Sequence, residues 1–252
     1  MTDLSVNLNA VAQLRNRRNL PWPSVIEMAR LALGAGASGI TIHPRPDERH
    51  IRRTDVFELQ DFMRDEWADK EFNIEGYPTP DFLALCEQAR PDQVTFVPDD
   101  PGQSTSDHGW DIGANATMLA ETIERLQNGG MRVALFIDAN PEVPAMAAEV
   151  GADRVELYTG PYGLPGADTA GELEKLKATA AACRRAGLRA ARGGAGLGIN
   201  AGHDLTLTNL PALKQAIPDL AECSIGHALT ADALIYGFAD AVRRYVGILS
   251  DR

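Results

Sequence analysis

The chain has 252 residues, 44% of them hydrophobic, and a formal charge of −11. This length suits one large domain over residues 1–252, and the charge argues against broad binding to nucleic acid or an anionic membrane, which need a basic surface. Cys86, Cys183 and Cys223 are too far apart for a disulfide framework or a zinc-type spacing, no run approaches the ~20 apolar residues of a membrane helix, and no leader opens the sequence, so a soluble cytoplasmic protein is expected.

A first strand over residues 4–8 ends in Asn7 and Asn9. Residues 10–19 then bring Arg15, Arg17 and Arg18, a basic island in an acidic chain that suits small anionic substrates. A helix is expected from about Trp22, with Ile26, Ala29 and Leu33 on its buried face and Gly34 and Gly36 at its end. Residues 40–51, Ile-Thr-Ile-His-Pro-Arg-Pro-Asp-Glu-Arg-His-Ile, read as a second strand that stops at His43, because Pro44 and Pro46 cannot continue a ladder. The loop that follows carries Arg45, Arg49 and His50, donors suited to phosphate, whereas His43 at the strand end is placed for proton transfer. A solvated loop without function is the bland alternative for this window.

Thr54 is expected to cap a helix through Phe57, Leu59, Phe62 and Met63, and residues 72–75 to form a third strand ending in Glu75. Thr79 and Pro80 open a helix. Residues 94–97 form a fourth strand, followed by a polar loop over 98–113, long enough to be functional. Further helices are expected over 116–128, 141–150, 169–186 and 210–217, and strands over 132–137, 154–157, 197–200 and 221–225. Residues 159–166 are read as loop. A last helix from Thr230 would bury Ile235, Val242, Val246 and Leu249.

Eight strands alternating with helices is the order of a (β/α)8 barrel, with a doubly wound open sheet as the alternative. The barrel is favoured because polar residues recur at strand C-termini: Asn7, His43, Glu75, Thr105 beyond strand four, Asp138, Glu156 or Tyr158, His203 and His227. Burial could raise the pKa of Glu75 and fit it for proton transfer; alternatively it pairs with a loop arginine. Gly202-His203 and Gly226-His227 follow strands seven and eight, where barrels often grip phosphate at a glycine turn and a helix N-terminus. Metal binding is not expected of these histidines, since no His-x-His or Glu-x-x-His pair is present.

Val6-Asn7-Leu8-Asn9, Gly39-Ile40-Thr41-Ile42-His43 with Arg45 and Arg49-His50-Ile51, Asn73-Ile74-Glu75, Leu135-Phe136-Ile137-Asp138, Asn200-Ala201-Gly202-His203 and Ile225-Gly226-His227-Ala228 occur in an order that resembles the pyridoxine 5′-phosphate synthase family across nearly the whole chain. The resemblance implies a (β/α)8 barrel that condenses 1-deoxy-D-xylulose 5-phosphate with 3-amino-2-oxopropyl phosphate, without metal or organic cofactor, in a homo-oligomer that is commonly an octamer. It makes His43 and Glu75 proton acceptors and His203 a proton donor. Arg45, His50 and Thr105 would hold the deoxyxylulose phosphate; Asn7, Arg18, Gly226 and His227 would hold the amino ketone phosphate, with the backbone at Asp204 close by.

Three features depart from the family pattern. Asn9 and Ala10 stand where many members have an Asp-His pair, and Asn9 can still hydrogen-bond a substrate hydroxyl. Asp204 stands where many have glycine, and residues 190–196 look like an insertion. A related barrel acting on another phosphorylated ketose, or a non-catalytic barrel binding a phosphorylated B6 vitamer, are the alternatives. Residues 98–113 are the candidate lid, since Thr105 lies there.

Overall fold

The computed structural model of the protein describes residues 1–18, 20–99, 103, 106–187 and 198–250. Among them, strands β1 (Asp3–Asn7), β2 (Gly39–Ile42), β3 (Glu71–Gly76), β4 (Gln93–Phe96), β5 (Arg132–Ile137), β6 (Arg154–Tyr158), β7 (Gly198–Gly202) and β8 (Glu222–Ile225) pair in parallel and in sequence order. Ser5 of β1 faces Gly39 of β2 on one side and Ser224 of β8 on the other, so the sheet closes. This is the (β/α)8 barrel, and closure rules out the doubly wound alternative.

The helices are α1 (Asn9–Asn16), α2 (Val25–Gly34), α3 (Arg53–Glu66), α4 (Pro80–Ala89), α5 (Ile112–Asn128), α6 (Val143–Glu149), α7 (Gly160–Gly163), α8 (Thr169–Ala186), α9 (Leu210–Ala216), α10 (His227–Tyr236) and α11 (Phe238–Leu249). Side-chain caps set several starts, because the first N–H groups of a helix lack partners within it. The Thr79 hydroxyl accepts from Phe82 N–H ahead of Pro80, as the sequence leads one to expect. Ser24 caps α2, which therefore begins three residues after Trp22, and Asp111 caps α5 so that buried Ile112 opens it, four residues before the expected start. Thr54 does not cap α3. Asp55 takes that part, accepting from the Arg52 N–H at 2.7 Å.

The last helix is two helices broken at Gly237, whose φ of +81° is costly for other residues. The break changes the helix face. Ile235, expected in the core, is 74% exposed, while Val242 and Leu249 are buried and Val246 is half-buried. β7 extends to Gly202, so His203 follows it directly, and the 159–166 segment contains the short α7.

The main apolar layer lies outside the ring of strands. Ile40, Ile42, Phe72, Ile74, Val133, Leu135, Val155 and Ile225 are buried in one cluster with helix residues such as Leu33, Leu59, Leu119 and Val242. Alternation along each strand turns the neighbours of these residues inward, and most of those are polar. Ser5 and Thr41 share a hydrogen bond of 2.6 Å, Asn73 bonds Thr41 and Thr95, and Gln93 of β4 reaches across the ring to Glu222 of β8. Arg154 and Asn200 also donate to Glu222, and Arg132 pairs with Glu71. Burial and the Glu71 carboxylate push Glu222 well up; burial also raises Glu71, but the hydrogen bond with Glu222 and the Arg132 charge outweigh it, so Glu71 is lowered and the pair shares a proton.

Asp55 joins three parts of the frame. Besides capping α3 it accepts two bonds from buried Arg15 of α1, at 2.6 and 2.8 Å, and Arg15 also donates to the carbonyl of His50. Replacing Asp55 by Ala leaves a buried guanidinium without its counter-charge and an uncapped helix. We expect a loss of about 3–5 kcal/mol in unfolding free energy from urea titration; a change below about 1 kcal/mol would show that water replaces the carboxylate.

Candidate active site

A cavity of about 420 Å³ opens at the C-terminal ends of the strands, a volume in the range of small-molecule sites. His43 enters it from the end of β2, Glu75 from β3, Glu156 from β6, His203 from the end of β7, and Gly226 with His227 from the end of β8. Asn7, Asn9, Arg45, His50 and Asp204 line it too. Residues as far apart in the chain as Asn7 and His227 meet because a closed parallel barrel brings all its strand C-termini to one rim.

The floor is held by short amide bridges. Asn7 Nδ2 donates to Glu75 Oε2 at 3.2 Å, Asn7 Oδ1 accepts from Asn9 N–H at 3.0 Å, and Asn9 Oδ1 accepts from His43 N–H at 2.9 Å. Asn9 thus ties the end of β1 to the end of β2. Its oxygen is committed to the backbone, which leaves the amide NH2 as the group it can offer a ligand.

Burial sets the protonation of the central pair. Glu75 is pushed up to about 8, by loss of water first and by the nearby Asp99 carboxylate second, against the smaller pull of its bond from Asn7 and of Arg45. His43 is lowered well below the usual histidine value by burial, then by the Arg45, His50 and Arg49 charges. A neutral imidazole and a carboxyl that titrates near neutrality therefore sit at neighbouring strand ends. Such a combination can take up and return protons. Glu156 is raised well above the ordinary range by burial and by the Glu75 and Glu222 charges, so it too holds its proton at neutral pH.

On the β2 side, His50 is lowered to about 4 by burial and the two arginines. Its Nδ1 accepts from Ile51 N–H at 2.9 Å, which fixes the neutral ring with its proton on Nε2, a donor. Arg45 is buried and paired with Asp99, also buried, and donates to the Gln103 carbonyl at 3.0 Å. Its carboxylate is thus Asp99, while Glu75 accepts from the Asn7 amide. Opposite, Gly226 precedes the first turn of α10, whose N-terminal N–H groups and His227 face the same cavity. That is a ready anion site, and a Cβ at 226 would come within 3.0 Å of Asn7.

The other Gly-His pair works differently. No helix follows it, since α9 begins only at Leu210. The Glu156 carboxyl lies against Gly202: a Cβ there would sit 2.0 Å from Glu156 Oε1, so the carboxyl would have to turn aside. Arg18 is exposed after α1 and is not among the residues lining the cavity. Thr105 and the 190–196 insertion lie outside the described residues, as does part of the candidate lid. Sequence reasoning passed over Asp99 and Ser224, and gave Ser106 and Glu156 no role. The period-two run of polar residues in β3, β6 and β8 was the available signal for the inward-facing ones. Among the described residues no group of three or more His, Cys, Asp or Glu side chains could hold a metal ion, and no helix is long and apolar enough to cross a membrane.

The family model described as pyridoxal phosphate biosynthesis protein PdxJ matches residues 4–251. The chain belongs to the pyridoxine 5′-phosphate synthase family. A relative from Mesorhizobium japonicum named pyridoxine 5′-phosphate synthase is 58% identical over 246 residues, covering 96% of each chain, and one of the same name from Chelativorans is 57% identical over 248 residues, covering 96% of each. Among solved structures, tryptophan synthase from M. tuberculosis superposes with a TM-score of 0.64 at 12% identity, covering 98% of this chain and 92% of that one, a likeness of fold alone.

Glu75 gives the family site a measurable pH signature. The folded chain keeps its proton up to about pH 8, whereas an unfolded glutamate releases it near 4.5, so the folded state binds the more protons between these values. The contribution of Glu75 to stability is full below 4.5 and is lost as pH rises through 8. His43 and His50, lowered on folding, act with the opposite sign. The stability of Glu75→Gln relative to wild type, from urea titrations, should therefore rise between pH 5 and 8. A flat difference would mean an ordinary carboxyl at this position.

Proposed function

We propose that the chain condenses 1-deoxy-D-xylulose 5-phosphate with 3-amino-2-oxopropyl phosphate to give pyridoxine 5′-phosphate, inorganic phosphate and water. The observation that carries this reading is the meeting of His43, Glu75 and His203 in one cavity flanked by two chemically distinct anion sites. Joining the amine of one substrate to the ketone of the other, enolising the product, expelling phosphate and losing water all require protons to move repeatedly at one place. A buried neutral imidazole beside a carboxyl pushed up to about 8 suits this work.

In this reading His43, neutral at physiological pH, takes a proton at the start. Glu75 becomes an acceptor once its own proton has left, and His203 returns protons to the departing oxygens. Arg45 and His50 grip the phosphate of the deoxyxylulose substrate, together with Thr105, and Arg45 then exchanges Asp99 for the phosphate. The α10 N-terminus with Gly226 and His227 receives the phosphate of the amino ketone, with Asn7. Asn9 offers its amide NH2 to a substrate hydroxyl, and Ala10 leaves open the space that a larger residue would fill. The same reading carries a single catalytic domain, a homo-octameric assembly and a place in the cytoplasm.

Mixing the purified protein with both substrates and following pyridoxine 5′-phosphate fluorescence tests the proposal. His43→Ala, Glu75→Ala and His203→Ala should each lower kcat by about 10²-fold or more, and kcat/KM of the wild type should rise with pH through a value near 8 as Glu75 loses its proton. Tight binding of pyridoxine 5′-phosphate without turnover would instead mark a non-catalytic binder, and turnover of another phosphorylated ketose a related enzyme.

A further inference from the structure

We propose that the Asp204 carboxylate is a positioning residue for His203: it holds the Nδ1–H of the imidazole, so that His203 exchanges protons with the bound substrate through Nε2. The inference rests on the reading of His203 as proton donor and concerns a residue at which this chain departs from the pattern it otherwise follows.

His203 Nδ1 and Asp204 Oδ2 are 3.0 Å apart. Adjacent residues can make this contact because the backbone turns sharply: φ is +83° at His203 and +53° at Asp204, a region that side-chain-bearing residues seldom occupy. The surroundings enforce the turn. Thr159 Oγ1 donates to the His203 carbonyl, Asn209 Nδ2 donates to the Asp204 carbonyl at 3.0 Å, and Gly163 packs so closely that a Cβ there would lie 2.5 Å from the same carbonyl oxygen. Strain kept by three separate contacts is characteristic of functional positions. The Tyr158 ring stands edge-on to the imidazole, 5.3 Å between centroids and 85° between planes, which limits rotation of the His203 ring.

The carboxylate is suited to the task. Its hydrogen bond with His203, with help from the His227 charge, holds Asp204 below the usual range, so it is ionised throughout the neutral region. An anion on Nδ1 selects the tautomer and steadies the imidazolium form, as carboxylates do for histidines in other catalytic settings. Both residues line the cavity, so the partner sits where the ring is used.

The test compares Asp204→Gly, which accepts a positive φ without strain, with Asp204→Asn, which keeps an acceptor oxygen of the same reach. Steady-state kinetics with both substrates are combined with 15N spectra of histidine-labelled protein, His203→Gln serving to assign the ring signals and His203→Ala to test the donor. Asp204→Gly should lower kcat about tenfold or more with KM for each substrate within about threefold, and should shift the neutral His203 ring away from the Nδ1–H form. Asp204→Asn should recover part of both. Wild-type kcat in Asp204→Gly while His203→Ala is inactive overturns this proposal alone, as does a raised KM at unchanged kcat, which would make Asp204 a substrate-binding group. Retained turnover in His203→Ala overturns the donor reading itself.

Discussion

A carboxyl group turned inward in a closed ring of strands loses its water, and the rest of the site follows from how the chain answers that loss. At the bottom of the ring the answer is pairing: Glu71 and Glu222 share a proton between Arg132 and Arg154. At the mouth the counter-charges are fewer, and Glu75 and Glu156 keep their protons instead. One cost of burial thus yields structure at one end and acid–base capacity at the other. The apolar layer that stabilises the barrel lies between strands and helices, which leaves the interior to polar chemistry.

The loops around the mouth depend on ion pairs for their placement. Asp55 and Arg15 fasten α1 and α3 to the backbone at His50, and His50 in turn accepts from Ile51 N–H, so the orientation of its ring is set by a pair of charges beneath it. Arg45 is held by Asp99 in the same manner. A cation kept on a carboxylate is prearranged for another anion, and the exchange costs less than ordering a loose arginine would.

Much of this was legible in the sequence, and the limits have physical causes. His43 and Glu75 were readable because an apolar alternation ended at each, and the eightfold order of strands and helices predicted the barrel. Ile235 misled because the apolar stripe continues through Gly237 although the backbone does not, and only the positive φ there reveals the break. Thr54 was a plausible cap, yet Asp55 took the role because its carboxylate also neutralises a buried arginine from another helix. Asp99 escaped notice because its partner lies 54 residues away in the chain. The Gly-His pairs looked equivalent as dipeptides, and differ in space because only the second is followed by a helix.

The glycine ending β7 and the acid in the middle of β6 occupy a single volume between them, since any side chain at Gly202 would have to displace the Glu156 carboxyl. The two positions are therefore coupled: a methyl group at the first moves the carboxyl of the second out of the place it holds beneath the cavity.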